Sequence, residues 1–291
     1  MIPYPHLNPI ALQIGPVDVG GHVLGPLQIH WYGVMYGIGF ILAYFIVKAQ
    51  VRRRGLPLND NELADFIMYL IMGVILGGRT GYVLFYNLQD YIAHPAEIFA
   101  VWHGGMSFHG GLVGTLIAGY WFCRTHKLKF LEMADIVIVA VPLGLGLGRL
   151  GNFINGELWG RPTNVPWAMV FPLDPTHLPR HPSQLYEFAC EGVLLFLVLF
   201  FMSRKRPRHG VLLGTFLIGY GLIRFTLEFF RNPDPQLGYV LGPFSMGQLL
   251  SVPMVLIGIV FVWWVLHRPV PASTNSEAGT GDVSANGSIP S

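Results

Sequence analysis

Long apolar runs separated by short polar loops dominate the 291-residue chain. Seven such runs lie at about 30–48, 63–86, 106–123, 134–152, 184–203, 210–230 and 244–267. Each suits a helix of about 20 residues, the length that crosses a hydrocarbon core of about 30 Å. None alternates with a period of two, and Leu, Gly and Phe prevail, so the runs predict helices rather than strands.

The loops give these helices a direction. After the first, third, fifth and seventh runs stand Arg52, Arg53 and Arg54, then Arg124, Lys127 and Lys129, then Arg204, Lys205, Arg206 and Arg208, then Arg268. The opposite loops hold only Arg161, Arg180 and Arg231. Basic loops stay in the cytoplasm, which puts the N-terminus outside and the C-terminus inside with seven spans. Residues 1–30 hold no Lys or Arg, so they lack the basic start of a signal peptide.

Composition agrees. The chain is 52% hydrophobic and 12% charged, against about 25% charged in an average soluble domain. That excludes a disordered chain, a coiled coil and a disulfide scaffold, and it disfavours a soluble globule. The reading is an all-α polytopic membrane protein. Cys123 and Cys190 lie in apolar surroundings and suggest neither a disulfide nor a metal site. No metal or cofactor is expected. The tail from residue 268 to 291, rich in Ser, Gly, Ala and Asn, is expected to be a disordered cytoplasmic end. The outer loops fall at about 87–105 and 153–183. The second holds six prolines and is expected to order against the bundle rather than form one helix.

Three arginines then stand out, because they interrupt apolar runs. Arg79 is 14 residues past Asp65, Arg149 is 14 past Asp135, and Arg224 is 16 past His209. At 1.5 Å per residue each sits roughly 21–24 Å from the inner edge, in the outer third of the membrane. A charge at mid-bilayer costs about 2.5–3.5 kcal/mol. Three at one level predict a shared polar pocket open toward the outer leaflet, or else ion pairs with Glu157, Glu187, Glu191 and Glu228. Around Arg149, four glycines precede Asn152, and Asn155-Gly156-Glu157 follows. Glycine permits close approach of a backbone or a ligand headgroup. Tyr220, Arg224 and Glu228 are four residues apart on one helix face. An arginine held by Glu228 and Tyr220 can present a fork to a phosphate. His109, in Ser107-Phe108-His109-Gly110-Gly111, begins at the same outer level as a candidate base or donor. His30-Trp31-Tyr32-Gly33 and His181-Pro182-Ser183-Gln184 also stand at outer ends, where interfacial anchoring and helix capping are the plainer readings. There is no HExxH, Walker loop or GxSxG elbow, and nothing supports nucleic-acid binding.

These segments also resemble a known family. HWYG at 30–33, GGRTGYVLFYN at 77–87, GGMSFHGGLVG at 104–114, GLGRLGNFINGELWGR at 146–161, RHPSQLYE at 180–187 and GYGLIRFTLEFFR at 219–231 are similar to segments of the bacterial prolipoprotein diacylglyceryl transferases. The resemblance spans about 30–265. It implies a periplasmic segment at 1–29, a catalytic membrane domain at 30–267, and residence in the bacterial inner membrane. It also implies a reaction. Diacylglyceryl passes from phosphatidylglycerol to the thiol of the lipobox cysteine in prolipoprotein signal peptides, leaving glycerol phosphate. The family roles carried onto this sequence make Arg149, Asn152 and Glu157 the headgroup site, with Arg79 a further candidate. Arg224, with its neighbour Glu228, stabilises phosphate departure. His109 is the candidate base, although an arginine-activated thiol losing its proton to water serves equally. Tyr32 and Tyr220 order the site, and Gly160 shapes its loop. The competing reading from the residues alone is a lipid or organic-anion transporter. That reading expects a midplane site and inverted repeats; the arginines instead recur in one direction and lie to one side.

Overall fold

The computed structural model describes residues 2–5, 7–20, 22–86, 88–100, 104–232 and 239–269. The tail expected to be disordered lies outside them from residue 270 on. The chain is mainly helical: α1 (Trp31–Arg54), α2 (Asp60–Phe85), α3 (Leu88–Ala93), α4 (Phe108–Thr125), α5 (Phe130–Ile138), α6 (Val141–Asn155), α7 (Ser183–Glu187), α8 (Leu195–Arg204), α9 (Val211–Leu227) and α10 (Met246–His267). A π-helical stretch, Phe188–Leu194, joins α7 to α8.

Five helical segments are long and apolar enough to cross a membrane: Trp31–Arg54, Asp60–Phe85, Phe130–Asn155, Ser183–Arg204 and Met246–His267. The two other expected runs are helical as α4 and α9, but α9 has only 17 residues and α4 is not among the five. α1 runs six residues past its expected end. Arg52, Arg53 and Arg54 occupy its last turn, where cations suit the helix dipole, and Gly55 closes it at φ 70°. The expected single run 134–152 is two helices, α5 and α6, with Pro142 in the first turn of α6, where its missing N–H is harmless.

The mainly helical chain agrees with the all-α reading, and short strands are added to it. Three two-stranded antiparallel sheets accompany the helices. β1 (Ile10–Ile14) pairs with β4 (Leu27–His30), β2 (Val17–Val19) with β3 (His22–Leu24), and β5 (Tyr239–Leu241) with β6 (Phe244–Ser245). These strands are two to five residues long, too short to show a sustained alternation.

Packing within the bundle rests on small residues. A Cβ added at Gly77 or Gly114 of the α2–α4 pair would strike the backbone of the other helix, at Gly110 O and Gly73 O respectively. With no hydrophobic drive between lipid-bathed helices, such close approach supplies the van der Waals contact that joins them. Gly146 of α6 and Gly192 of the π stretch meet backbone to backbone in the same way. At the end of the bundle that carries Arg52, Arg53 and Arg54, Val47, Val51, Leu63, Phe66, Phe122, Met133 and Ile136 form a core between α1, α2, α4 and α5. The fully buried Asp135 of α5 accepts hydrogen bonds from the amides of Gly210 (2.8 Å) and Leu213 (2.9 Å), capping α9 from another helix. Another core, Tyr4, Phe153, Met169 and Phe171, sits beneath the 153–183 loop.

Gly114→Leu should therefore destabilise the fold by about 1–3 kcal/mol through overpacking, read as a lower thermal midpoint in detergent. Gly37→Ala, whose added Cβ meets nothing within 4 Å, should not lower the midpoint.

Candidate active site

α6, α7, the π stretch and α9 bring acids and arginines together at one place. Glu187, 2% exposed, sits between two guanidiniums. Its Oε2 lies 2.9 Å from Arg149 Nε and its Oε1 3.0 Å from Arg224 Nη1. Glu191, one turn further along, lies 3.6 Å from Arg149 Nε and 3.7 Å from Arg224 Nη1. Arg224 Nη2 pairs with Glu228 at 2.9 Å, the expected i, i+4 contact. Arg231 reaches Glu228 at 3.7 Å and Glu187 at 4.0 Å. Tyr220 lies within electrostatic reach of Arg149, Arg224, Glu187 and Glu191. Burial strengthens each contact, because no water competes for these charges.

The two central arginines are held differently. Both terminal nitrogens of Arg224 face carboxylates. The ion pairs of Arg149 run through its Nε, and its side chain is 21% exposed, so its terminal fork is uncommitted among the described residues. Arg149 is thus a gripped guanidinium with its fork available, a geometry suited to bidentate phosphate.

The signature segment explains itself locally. Gly156 takes φ 67° and ends α6 with its amide donating to the Phe153 carbonyl (3.0 Å). This turn carries Glu157 back over the helix, where it accepts from Asn152 Nδ2 (2.9 Å) and Asn155 Nδ2 (3.2 Å). Gln184 Nε2 donates to the Glu157 carbonyl (2.6 Å) and Ser183 Oγ to the Leu158 carbonyl (3.2 Å). The polar start of α7 thus anchors the signature loop; the expected capping is absent, since the N-cap is Pro182 and no side chain caps α7. Gly160 lies between Phe230 O and His181 O, 2.5 and 2.6 Å from where a Cβ would be, so no side chain fits. The ring of Tyr32 lies against Gly151, where a Cβ would come within 2.9 Å, and its hydroxyl is 3.1 Å from Tyr36 Oη. Tyr32 is within electrostatic reach of Glu157 and Arg149.

Two expected members make other contacts. Arg79 is buried, but its guanidinium donates to backbone carbonyls: Nε to Ile98 (2.8 Å), Nη1 to Gly104 (2.6 Å) and Gly105 (3.1 Å), and Nη2 to Glu97. It also lies over the Tyr91 ring. The ion pairs thus gather Arg149, Arg224 and Arg231, while Arg79 fastens the loop before α4. The reason is that this loop folds back onto α2 and brings its carbonyls to the guanidinium. His109 stands exposed in the first turn of α4, its ring against Phe108.

The 153–183 loop is pinned from above. Arg180 pairs with Asp174 and donates to Gly160 O (3.3 Å) and Thr176 Oγ1 (3.0 Å). Arg161 donates to the carbonyls of Arg231 (2.9 Å) and Glu228 (3.3 Å), gripping the end of α9. Burial pushes the Asp174 carboxyl up, but the hydrogen bonds from Arg180 and Thr176 outweigh it and hold it at about 2. Burial pushes the His181 imidazole below its usual range.

Glu187 and Glu191 were legible as possible ion-pair partners but not as site residues. Their signal was two acids four residues apart inside an apolar run.

A carboxylate held this low stabilises the fold above its unfolded pKa of about 3.9, and that contribution disappears as pH falls through about 2. Asp174→Asn should thus loosen the 160–181 loop at pH 7, seen as faster amide exchange, with the difference from wild type fading in strong acid. Arg79→Lys should speed proteolysis of the 88–105 loop almost as much as Arg79→Ala, because an ammonium cannot span four carbonyls as a planar fork does.

A sequence model of prolipoprotein diacylglyceryl transferases matches residues 21–264. The chain is 52% identical over 275 residues, 93% of its length, to a Pseudomonas fluorescens protein named phosphatidylglycerol–prolipoprotein diacylglyceryl transferase, of which 98% is covered. It is 54% identical over 267 residues to a Geobacter sulfurreducens protein of that name, with 92% of this chain and 98% of that one covered. For a Legionella pneumophila protein of the same name the values are 51% over 268 residues, 91% and 99%. With its membrane helices and the glycine-rich segment that carries Arg149, Asn152 and Glu157, the chain belongs to the prolipoprotein diacylglyceryl transferase family.

Proposed function

We propose that the protein moves diacylglyceryl from phosphatidylglycerol onto the thiol of a lipobox cysteine, the first step of bacterial lipoprotein maturation. It does so from seven spans in the inner membrane, with the N-terminus in the periplasm, the C-terminus in the cytoplasm and the site toward the outer leaflet. The observation that carries this reading is Arg149, gripped at Nε by buried acids with its terminal fork uncommitted, on a helix that also carries Asn152.

The reaction breaks the bond between a diacylglyceryl carbon and a phosphate oxygen. Sulfur attacks that carbon as thiolate, the better nucleophile. The bonding pair leaves on the oxygen, and glycerol phosphate departs with increased negative charge. Arg149 takes the phosphate on its fork, and Arg224 and Arg231 supply the surrounding positive field. Such prearranged charge acts without reorganising during the step. Glu187 holds Arg149 and Arg224 in register, and Glu228 fixes the other side of Arg224. Asn152 and Glu157 present amide and carboxylate groups to the glycerol hydroxyls of the headgroup. Tyr32 and Tyr220 wall the pocket, and Gly160 lets the signature loop close against α9. The thiol proton leaves to His109 or to water. Both substrates are confined to the membrane, so fixing them at one depth supplies much of the orientation the step needs.

Purified protein supplied with phosphatidylglycerol and a lipobox peptide should add one diacylglyceryl mass to the peptide and none to its Cys→Ser counterpart. No mass gain refutes the reading, and lipid flux into liposomes without covalent product would favour a transporter. Arg149→Ala should abolish turnover, while Arg149→Lys should lose about 10²-fold or more, as removing one transition-state donor does.

A further inference from the structure

Arg224 is held differently on its two sides. Its Nη1 donates to Glu187 Oε1 at 3.0 Å. Its Nη2 lies 2.9 Å from Glu228 Oε2, yet that oxygen accepts no hydrogen bond among the described residues. The second contact is thus mainly Coulombic, and Arg231 adds to it from 3.7 Å. Coulomb attraction falls slowly with distance and sets no angle, whereas a hydrogen bond weakens steeply when misaligned. The orientation of the Glu228 carboxylate has to come from its other oxygen.

That oxygen meets the start of α10. Ser245 Oγ donates to Glu228 Oε1 at 2.9 Å, and both residues are buried. Ser245 is also the N-cap of α10. Its Oγ accepts from the Gln248 amide (3.4 Å), and its own amide donates to Gln248 Oε1 (3.1 Å), a reciprocal capping box. The cap uses a lone pair of the hydroxyl and leaves its proton for the carboxylate. Gln248 Nε2 donates to the Phe225 carbonyl of α9 (3.4 Å), and a Cβ added at Gly247 would come within 3.1 Å of the Glu228 carboxylate. The first turn of α10 is therefore seated on the stretch that carries Arg224 and Glu228.

We propose that Ser245 is a positioning residue: through Glu228 it fixes where Arg224 places its charge beside the departing phosphate. This deepens the transferase reading and rests on it for the reaction. Ser245 needs no contact with substrate. Without its hydroxyl the carboxylate can turn, still attracting Arg224 but no longer fixing its place. The loss then falls on the step in which charge develops rather than on lipid binding.

The test uses the full-length protein in nanodiscs, with phosphatidylglycerol and a lipobox peptide. Ser245→Ala and Ser245→Gly should each lower kcat about tenfold, the scale of one charge-assisted hydrogen bond, and leave KM for phosphatidylglycerol unchanged. Ser245→Thr keeps the hydroxyl and should restore the rate. Nitrogen-15 NMR of arginine-labelled protein reads Arg224 directly, its signals assigned by their loss in Arg224→Lys. Wild type should show separate Nη1 and Nη2 signals, which merge in Ser245→Ala and Ser245→Gly as the guanidinium begins to rotate. Wild-type kcat in either variant overturns the inference. So do unchanged Arg224 signals, or a Ser245→Thr protein no faster than Ser245→Ala. If Ser245→Ala fails to fold, Ser245→Gly decides, since glycine is tolerated at an N-cap. Absence of turnover in wild type would refute the transferase reading, while the Arg224 signals still report whether Ser245 holds that side chain.

Discussion

A charge inside a bilayer must find its partner within the protein, and the Arg149–Glu187–Arg224 bridge is how this chain meets that demand. One carboxylate serves two guanidiniums from two helices, so α6 and α9 are tied through α7 at the level of the site. Removing one member of such a buried pair typically costs about 3–5 kcal/mol, because the remaining charge is stranded. The same ion pairs thus hold the helices together and aim the arginines. Stability and chemistry are coupled here by electrostatics rather than by packing, which elsewhere relies on glycine contacts.

The 153–183 loop extends this logic. Arg180, Asp174 and Thr176 lock the loop to itself, and Arg161 locks it to the last carbonyls of α9. Gly160 lies between these attachments, with no room for a side chain. The signature segment therefore contributes twice: Asn152 and Glu157 at the pocket, Gly160 and Arg161 in the roof. A roof fastened to the helix that bears Arg224 and Glu228 transmits its position to them directly.

Much of this was legible in the sequence because membranes simplify the rules. Apolar runs mark the helices, and an arginine within a run marks a site, since its cost demands a reason. The Arg224–Glu228 contact followed from i, i+4 spacing alone. The contacts of Arg79 were not legible, because its partners are backbone carbonyls, which every residue carries and no motif records. The short N-terminal strands escaped notice because their pairing spans few residues. The acids Glu187 and Glu191 were visible, but sequence spacing does not say which acid faces which arginine once four helical segments converge.

The π stretch between α7 and α8 carries a charge contact and a glycine contact within one irregular segment. Glu191 faces the arginines, while Gly192, the very next position, rests backbone to backbone on Gly146. A π turn is wider than an α turn, so the same widened stretch both seats the rod on α6 and presents an acid to Arg149 and Arg224. Assembly of the bundle and placement of its charges thus share one irregularity, and neither can be altered there without disturbing the other.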